Sequence, residues 1–165
     1  MNTLSRIGNA GAMPRTIATV TRVDSSDLLD FIRPRHHLIM TTRRKDGSPQ
    51  SSPVTAGVDQ QGCIVVSSYP ERAKVANIRR DPRVSALVLS DDFGGPWVQV
   101  ETHCTVIELP DAVEPLVEYF RSISGEHSNW DEYRQAMIDQ GKCLLQMEPV
   151  SWGPIATGGF PARLA

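Results

Sequence analysis

Residues 97–108, WVQVETHCTVIE, alternate without a break. Val98, Val100, Thr102, Cys104 and Val106 fall on one face, and Trp97, Gln99, Glu101, His103 and Thr105 on the other. A period of two over that length predicts a long β-strand with one face toward a core and one polar face. Such a strand needs neighbours on both edges. A chain of 165 residues with 40% apolar and 22% charged residues supplies one domain's worth of core.

The neighbours are legible. His37–Arg43 (HLIMTTR), Pro49–Val58 (PQSSPVTAGV) and Cys63–Ser68 (CIVVSS) read as strands separated by Lys45-Asp46-Gly47 and by Asp59-Gln60-Gln61-Gly62. Short strands joined by tight polar turns form a meander. Pro49 and Pro53 make the second of these an edge or a bulged strand. Val84–Ser90 (VSALVLS) and a last run through Cys143–Met147 add two more. Helices are predicted after Ser25-Ser26-Asp27, which offers a cap, and from Pro70 to just before Pro82. Two further helices follow the long strand. One carries Leu116, Tyr119, Phe120 and Ile123 at i, i+3, i+4, i+7 and ends at Gly125. The other is capped at Ser128, striped by Trp130, Tyr133 and Met137, and stopped by Gly141. About six antiparallel strands with peripheral helices predict an α+β, mainly β fold, an antiparallel barrel rather than a doubly wound sheet.

Residues 1–24 show no helical period and few large apolar groups, so they are expected to form an extended arm ahead of a domain spanning 25–165. The N-terminus lacks a secretory apolar core, and no run approaches the roughly 20 residues of a membrane span. Cys63, Cys104 and Cys143 are odd in number, form no C-x-x-C pair and sit in apolar runs. They read as reduced core thiols of a cytoplasmic protein. A formal charge of -2 argues against nucleic acid as a partner.

Against that near-neutral balance, residues 69–84 (YPERAKVANIRRDPRV) gather Arg72, Lys74, Arg79, Arg80 and Arg83 against Glu71 and Asp81. A strand ending in Ser67-Ser68 delivers the chain into a helix start. Free amides, the positive end of the dipole and two hydroxyls there outline a phosphate seat. Arg72 and Lys74 add full charges. A solvated helix face is the competing reading, and cations near the helix C-terminus also complement its dipole.

Three blocks together carry a family resemblance: Thr41–Val54 (TTRRKDGSPQSSPV), Ser68–Ser85 (SYPERAKVANIRRDPRVS) with Glu101 in the long strand, and Phe120–Met137 (FRSISGEHSNWDEYRQAM). Over most of residues 26–150 the chain resembles the pyridoxamine 5'-phosphate oxidase-like split-barrel superfamily. Within it, the chain is similar to the B group of deazaflavin-dependent oxidoreductases of actinobacteria, which use coenzyme F420. The resemblance implies a split β-barrel of the FMN-binding type, forming a homodimer with the cofactor at the interface. It implies that residues matching Arg72 and Lys74 take the phosphate-bearing tail and that Ser67 and Ser68 lie near the ring system. Gln50, Ser52, Pro53 and Val54 would flank the deazaflavin, and Gly95, Pro96, Trp97 and Val98 would contact it. Asn77 belongs to the first helical block, and His127 to a second block expected near the partner's cofactor.

The activity implied is hydride transfer from reduced F420 to a small unsaturated organic molecule, with the proton supplied by a side chain or a water. An FMN-dependent oxidase and a non-catalytic F420 carrier are the alternatives. Many relatives place glycine after the acidic residue of the long strand, where this chain has Thr102-His103. A side chain there is expected to fill space beside the ring. No metal site is expected. Adjacent His36 and His37 point to opposite faces of a strand, and Glu101 with His103 reads as a polar exterior pair more readily than as an acid/base pair.

Overall fold

The computed structural model describes residues 18–20 and 22–157. The elements run β1 (Ala18–Val20), α1 (Ser25–Ile32), β2 (His37–Arg43), β3 (Pro49–Thr55), β4 (Gly57–Val58), β5 (Ile64–Ser68), α2 (Ala73–Arg80), β6 (Arg83–Leu89), β7 (Pro96–Ile107), α3 (Val113–Ser124), α4 (Trp130–Asp139), β8 (Cys143–Trp152) and β9 (Ile155–Thr157). The six longer strands are those expected. The expected arm over residues 1–24 lies largely outside the described residues; within it, β1 pairs with β9.

The antiparallel sheet is ordered β3-β2-β6-β7-β8-β5-β4, with β9 joined to β7. It curls, so that β3 from one end touches β5 from the other without a ladder between them. That seam makes the barrel an open one. The two-proline strand β3 is an edge, as its missing backbone donors require.

Each strand's burial follows from its position. In β7, Val98, Val100, Thr102 and Cys104 are buried, while Gln99, Glu101, His103 and Thr105 are exposed. β5 and β8 are covered on both sides. Ile64, Val66, Leu145 and Met147 face the barrel interior together with Leu38, Met40, Val84 and Val100. Val65 and Leu144 face outward into a second cluster built by Leu116, Val117, Tyr119, Tyr133 and Met137 of α3 and α4. Two-sided burial explains why CIVVSS and CLLQM read as unbroken apolar runs.

Helix boundaries moved where capping chemistry decided them. Asp24, one residue ahead of the predicted cap, accepts the Asp27 N–H at 2.9 Å. Asn129, not Ser128, caps α4 by accepting the Glu132 N–H. α2 begins at Ala73, because Tyr69-Pro70-Glu71 form a turn closed by Arg72 N–H to Tyr69 C=O at 3.1 Å. α3 ends at Gly125, whose φ of 77° suits a residue without Cβ.

The cysteines are free: Cys104 and Cys143 are buried and Cys63 is half-buried. Burial pushes the Cys104 thiol up to about 12 and the Cys143 thiol to about 11. Since the thiolate is the nucleophile, iodoacetamide at pH 8 is expected to label neither in the folded protein. Peptide mass spectrometry should find modification confined to Cys63 until denaturant is added.

Candidate functional site

The start of α2 is built in an unusual way. Arg72 occupies its N-cap in extended geometry, without a side-chain cap, and no acid stands in the first turn. First-turn amides have no intrahelical partner, and cations there oppose the dipole. Sequence preference alone would place an acid where this chain places Arg72 and Lys74.

The remaining cations of the segment are spoken for. Arg79 pairs with Glu108, and Arg83 with Asp81 at 2.7 Å. Arg80 donates to the Asn77 side-chain oxygen and to the Arg43 carbonyl, each at 2.9 Å. These groups serve the helix end, as the dipole argument allows. Arg72 and Lys74 differ: among the described residues neither has a carboxylate within ion-pair distance. A third unpaired cation, Lys142, joins them. Its ammonium lies 3.7 Å from the Tyr69 ring centre, with the Arg72 guanidinium at 5.8 Å from the same ring. Burial, and then the neighbouring Arg72 charge, lower the Lys74 pKa. This is a cluster of one sign, partly desolvated at Lys74, with no carboxylate in ion-pair contact among the described residues.

The three cations line a basin of about 430 Å³ with Gln50 and Ser52 of β3, Ser67 and Ser68 of β5, Tyr69 and Ala73. It sits on the open seam, where β3 and β5 meet without a ladder. Predicted residues Gln50, Ser52, Ser67, Ser68, Arg72 and Lys74 are thus brought together. Tyr69, Ala73 and Lys142 were not foreseen. Lys142 could have been found only from strand pairing: its neighbour Cys143 stands opposite Ser68.

The other predicted residues lie elsewhere in the single chain. Pro53 and Val54 border a separate hollow of about 400 Å³ with His37, Ile39, Leu89 and Phe93. Gly95 lies where a Cβ would come within 2.8 Å of Ser90 Cβ. The carbonyl of Pro96 accepts from the Ser90 hydroxyl. Trp97 lines a third hollow with Gln99, Glu101 and Trp152. Val98 is fully buried on the core face of β7, so its side chain is turned away from any surface ligand. Asn77 is buried and turned to Thr42, Gln50 and Arg80 rather than into the basin. His127 packs among Phe120, Trp130 and Tyr133, with its Nδ1 accepting the Asn129 N–H.

Thr102 also corrects an expectation. Its side chain points into the barrel, where the hydroxyl donates to the Val84 carbonyl at 2.9 Å, and so fills no space on the outer face. Glu101 is exposed and accepts from Ser85 and Gln99, each at 2.8 Å. No cluster of three metal-ligating side chains occurs among the described residues. His36 bonds the Ala56 carbonyl and His37 faces Asp91.

A family model described as pyridoxamine 5'-phosphate oxidase matches residues 26–155. Among solved structures, a conserved hypothetical protein of Mycobacterium tuberculosis superposes with a TM-score of 0.71 at 17% identity, covering 92% of this chain and 100% of that one. A protein titled F420 reductase gives 0.57 at 17% identity, over 75% of this chain and 94% of its own. A haem storage protein of Vibrio cholerae gives 0.59 at 15% identity, over 83% and 98%. At these identities the structural matches establish the fold.

Proposed function

Because the chain belongs to the pyridoxamine 5'-phosphate oxidase family, we propose that it holds a phosphorylated flavin-type cofactor in the seam basin, and that this cofactor is coenzyme F420, used for reduction of a small unsaturated organic molecule. The observation that carries the reading is the run of Lys74, Arg72 and Lys142, three cations without an acid partner among the described residues, at an uncapped helix start. The fit is chemical. Arg72 offers a fork of donors for a phosphate, and Lys74 and Lys142 offer point charges. Amides at the helix start ahead of Val75, whose own N–H is taken by the Arg72 carbonyl at 2.9 Å, would complete the seat. Ser52, Ser67 and Gln50 line the adjoining seam with polar groups suited to a ring edge bearing carbonyl and amide functions.

When bound, a deazaflavin supplies two-electron hydride transfer, because carbon replaces the reactive central nitrogen of flavin. The chain's own part is to neutralise, orient and shield. The spread of positive charge favours F420 over FMN. FMN presents one compact phosphate, whereas F420 carries a phosphodiester followed by glutamates. In this reading the protein is a homodimer, with the partner covering the open side of the cofactor and the substrate approaching between the two chains. The neighbour titled F420 reductase supports the same reading.

The deciding experiment is titration of the purified protein with F420 and FMN separately, followed by fluorescence. Tighter binding of F420 is expected. Binding of FMN alone would make the protein an FMN enzyme, and binding of neither would overturn the assignment. Turnover of the F420-loaded protein on a panel of conjugated acceptors then separates an oxidoreductase from a carrier.

A further inference from the structure

We propose that Asn77 and Arg80 form a positioning device that fixes the polarity of the Gln50 side-chain amide, so that its NH2 group rather than its oxygen faces the basin. Hydrogen-bond accounting gives the direction. The Arg80 guanidinium has donors only. It lies 2.9 Å from Asn77 Oδ1 and 2.9 Å from the Arg43 carbonyl, so the oxygen of the Asn77 amide must be the end that meets it. The Asn77 nitrogen then meets Thr42 Oγ1 at 3.0 Å and the Gln50 amide at 2.8 Å. A donor requires an acceptor opposite it, so Gln50 turns its Oε1 to Asn77.

Gln50 Nε2 is left without a protein partner among the described residues, and Gln50 is a lining residue of the basin, so the free nitrogen is the end offered to a ligand. Asn77 and Thr42 are 6% and 0% exposed, so the middle of the relay is shielded from competing water, while Arg80 anchors it from the surface. The basin therefore offers a neutral donor beside its cations, and the ligand atom met there is an acceptor: a phosphate or carbonyl oxygen, or an unprotonated ring nitrogen. A ligand presenting an N–H or O–H at that point is rejected, because two donors would face each other. The inference deepens the cofactor reading and rests on it for the identity of the ligand, but the polarity of Gln50 does not depend on that identity.

Two measurements test it. Asn77→Asp keeps the shape and still accepts from Arg80, but presents an oxygen to Gln50. The Gln50 amide must then rotate and turn its own oxygen into the basin. With FMN and F420 as probes, Asn77→Asp is expected to raise the dissociation constant of whichever binds by roughly tenfold or more, the scale of a lost hydrogen bond to a charged group. In a Gln50→Ala background the same substitution should cost distinctly less, since only the added negative charge still acts and nothing is left to rotate. Equal losses in both backgrounds would overturn the proposal.

The second measurement needs no ligand. In the wild-type protein, NMR should show the side-chain amide protons of Asn77 protected from solvent exchange and those of Gln50 exchanging freely. Protection of the Gln50 protons would overturn the proposal even if neither cofactor binds. Failure of both cofactors to bind, with the exchange pattern as expected, would sink the functional reading while leaving the Gln50 polarity standing.

Discussion

Removing both charges at the start of α2, with Arg72→Ala and Lys74→Ala combined, is expected to abolish cofactor binding at micromolar concentrations. Each single substitution should weaken it by ~1.5–3 kcal/mol, the range for hydrogen bonds to charged groups, which is roughly 10- to 150-fold in affinity. The stability of the empty protein should move the other way or not at all. Neither cation has a carboxylate partner among the described residues, the two repel each other, and both oppose the helix dipole. A variant that binds poorly yet melts no earlier than the wild type marks the pair as functional. One that melts much earlier would mark it as structural.

The pH dependence has a definite sign. In the empty protein, burial and Arg72 lower the Lys74 pKa, so its charged form is held at a disadvantage. A bound anion favours that charged form. Affinity is therefore full while Lys74 is protonated in the empty site and declines as pH rises through the lowered pKa. Lys74→Ala should remove this alkaline decline, leaving a weaker and flatter profile by fluorescence titration. A decline that persists unchanged in the variant would assign it to another group.

Most of the sheet is legible in the sequence because side-chain period and burial share one cause. The strand at Trp97–Glu108 alternates because only one of its faces meets the core, and Cys143–Met147 does not alternate because helices cover its second face. Helix starts are less legible. At Pro70 the favourable first-position residue is instead part of a turn closed by the Arg72 N–H to the Tyr69 carbonyl, and local preference does not rank that bond. The site shows the same division. Ser67, Ser68, Arg72 and Lys74 lie within one strand-to-helix passage, so their convergence can be read locally. Gln50 and Lys142 arrive by way of the curled sheet, one across the seam and one through the pairing of Ser68 with Cys143. For Gln50 only the family resemblance pointed there. Asn77 stands in the same block, but it is buried and its side chain is bonded to Thr42, Gln50 and Arg80, the basis of the supporting role proposed above. Gly95, Pro96 and Trp97 lie away from the basin in the single chain, and His127 packs in the aromatic cluster of α3 and α4.

The barrel that holds the seam open should fail most readily at Leu145. This side chain is fully buried near the start of β8, opposite Val66 of β5 on one edge and Val106 of β7 on the other. It belongs to the interior cluster that includes Met40, Val84, Val100 and Met147. Leu145→Ala removes atoms from both halves of the barrel, and a strand laddered on both edges cannot shift inward to close the gap. The cost is therefore expected at ~2–5 kcal/mol, transfer plus residual cavity. Urea unfolding should show a lower midpoint with an unchanged slope, since the surface exposed on unfolding is the same. Val150→Ala on the same strand is the matched control: that side chain is 66% exposed, and its loss should fall within about 0.5 kcal/mol of neutral. If the two variants unfolded alike, the inward face assigned to β8 would be wrong. With it would go the register that sets Cys143 beside Ser68 and brings Lys142 to the basin.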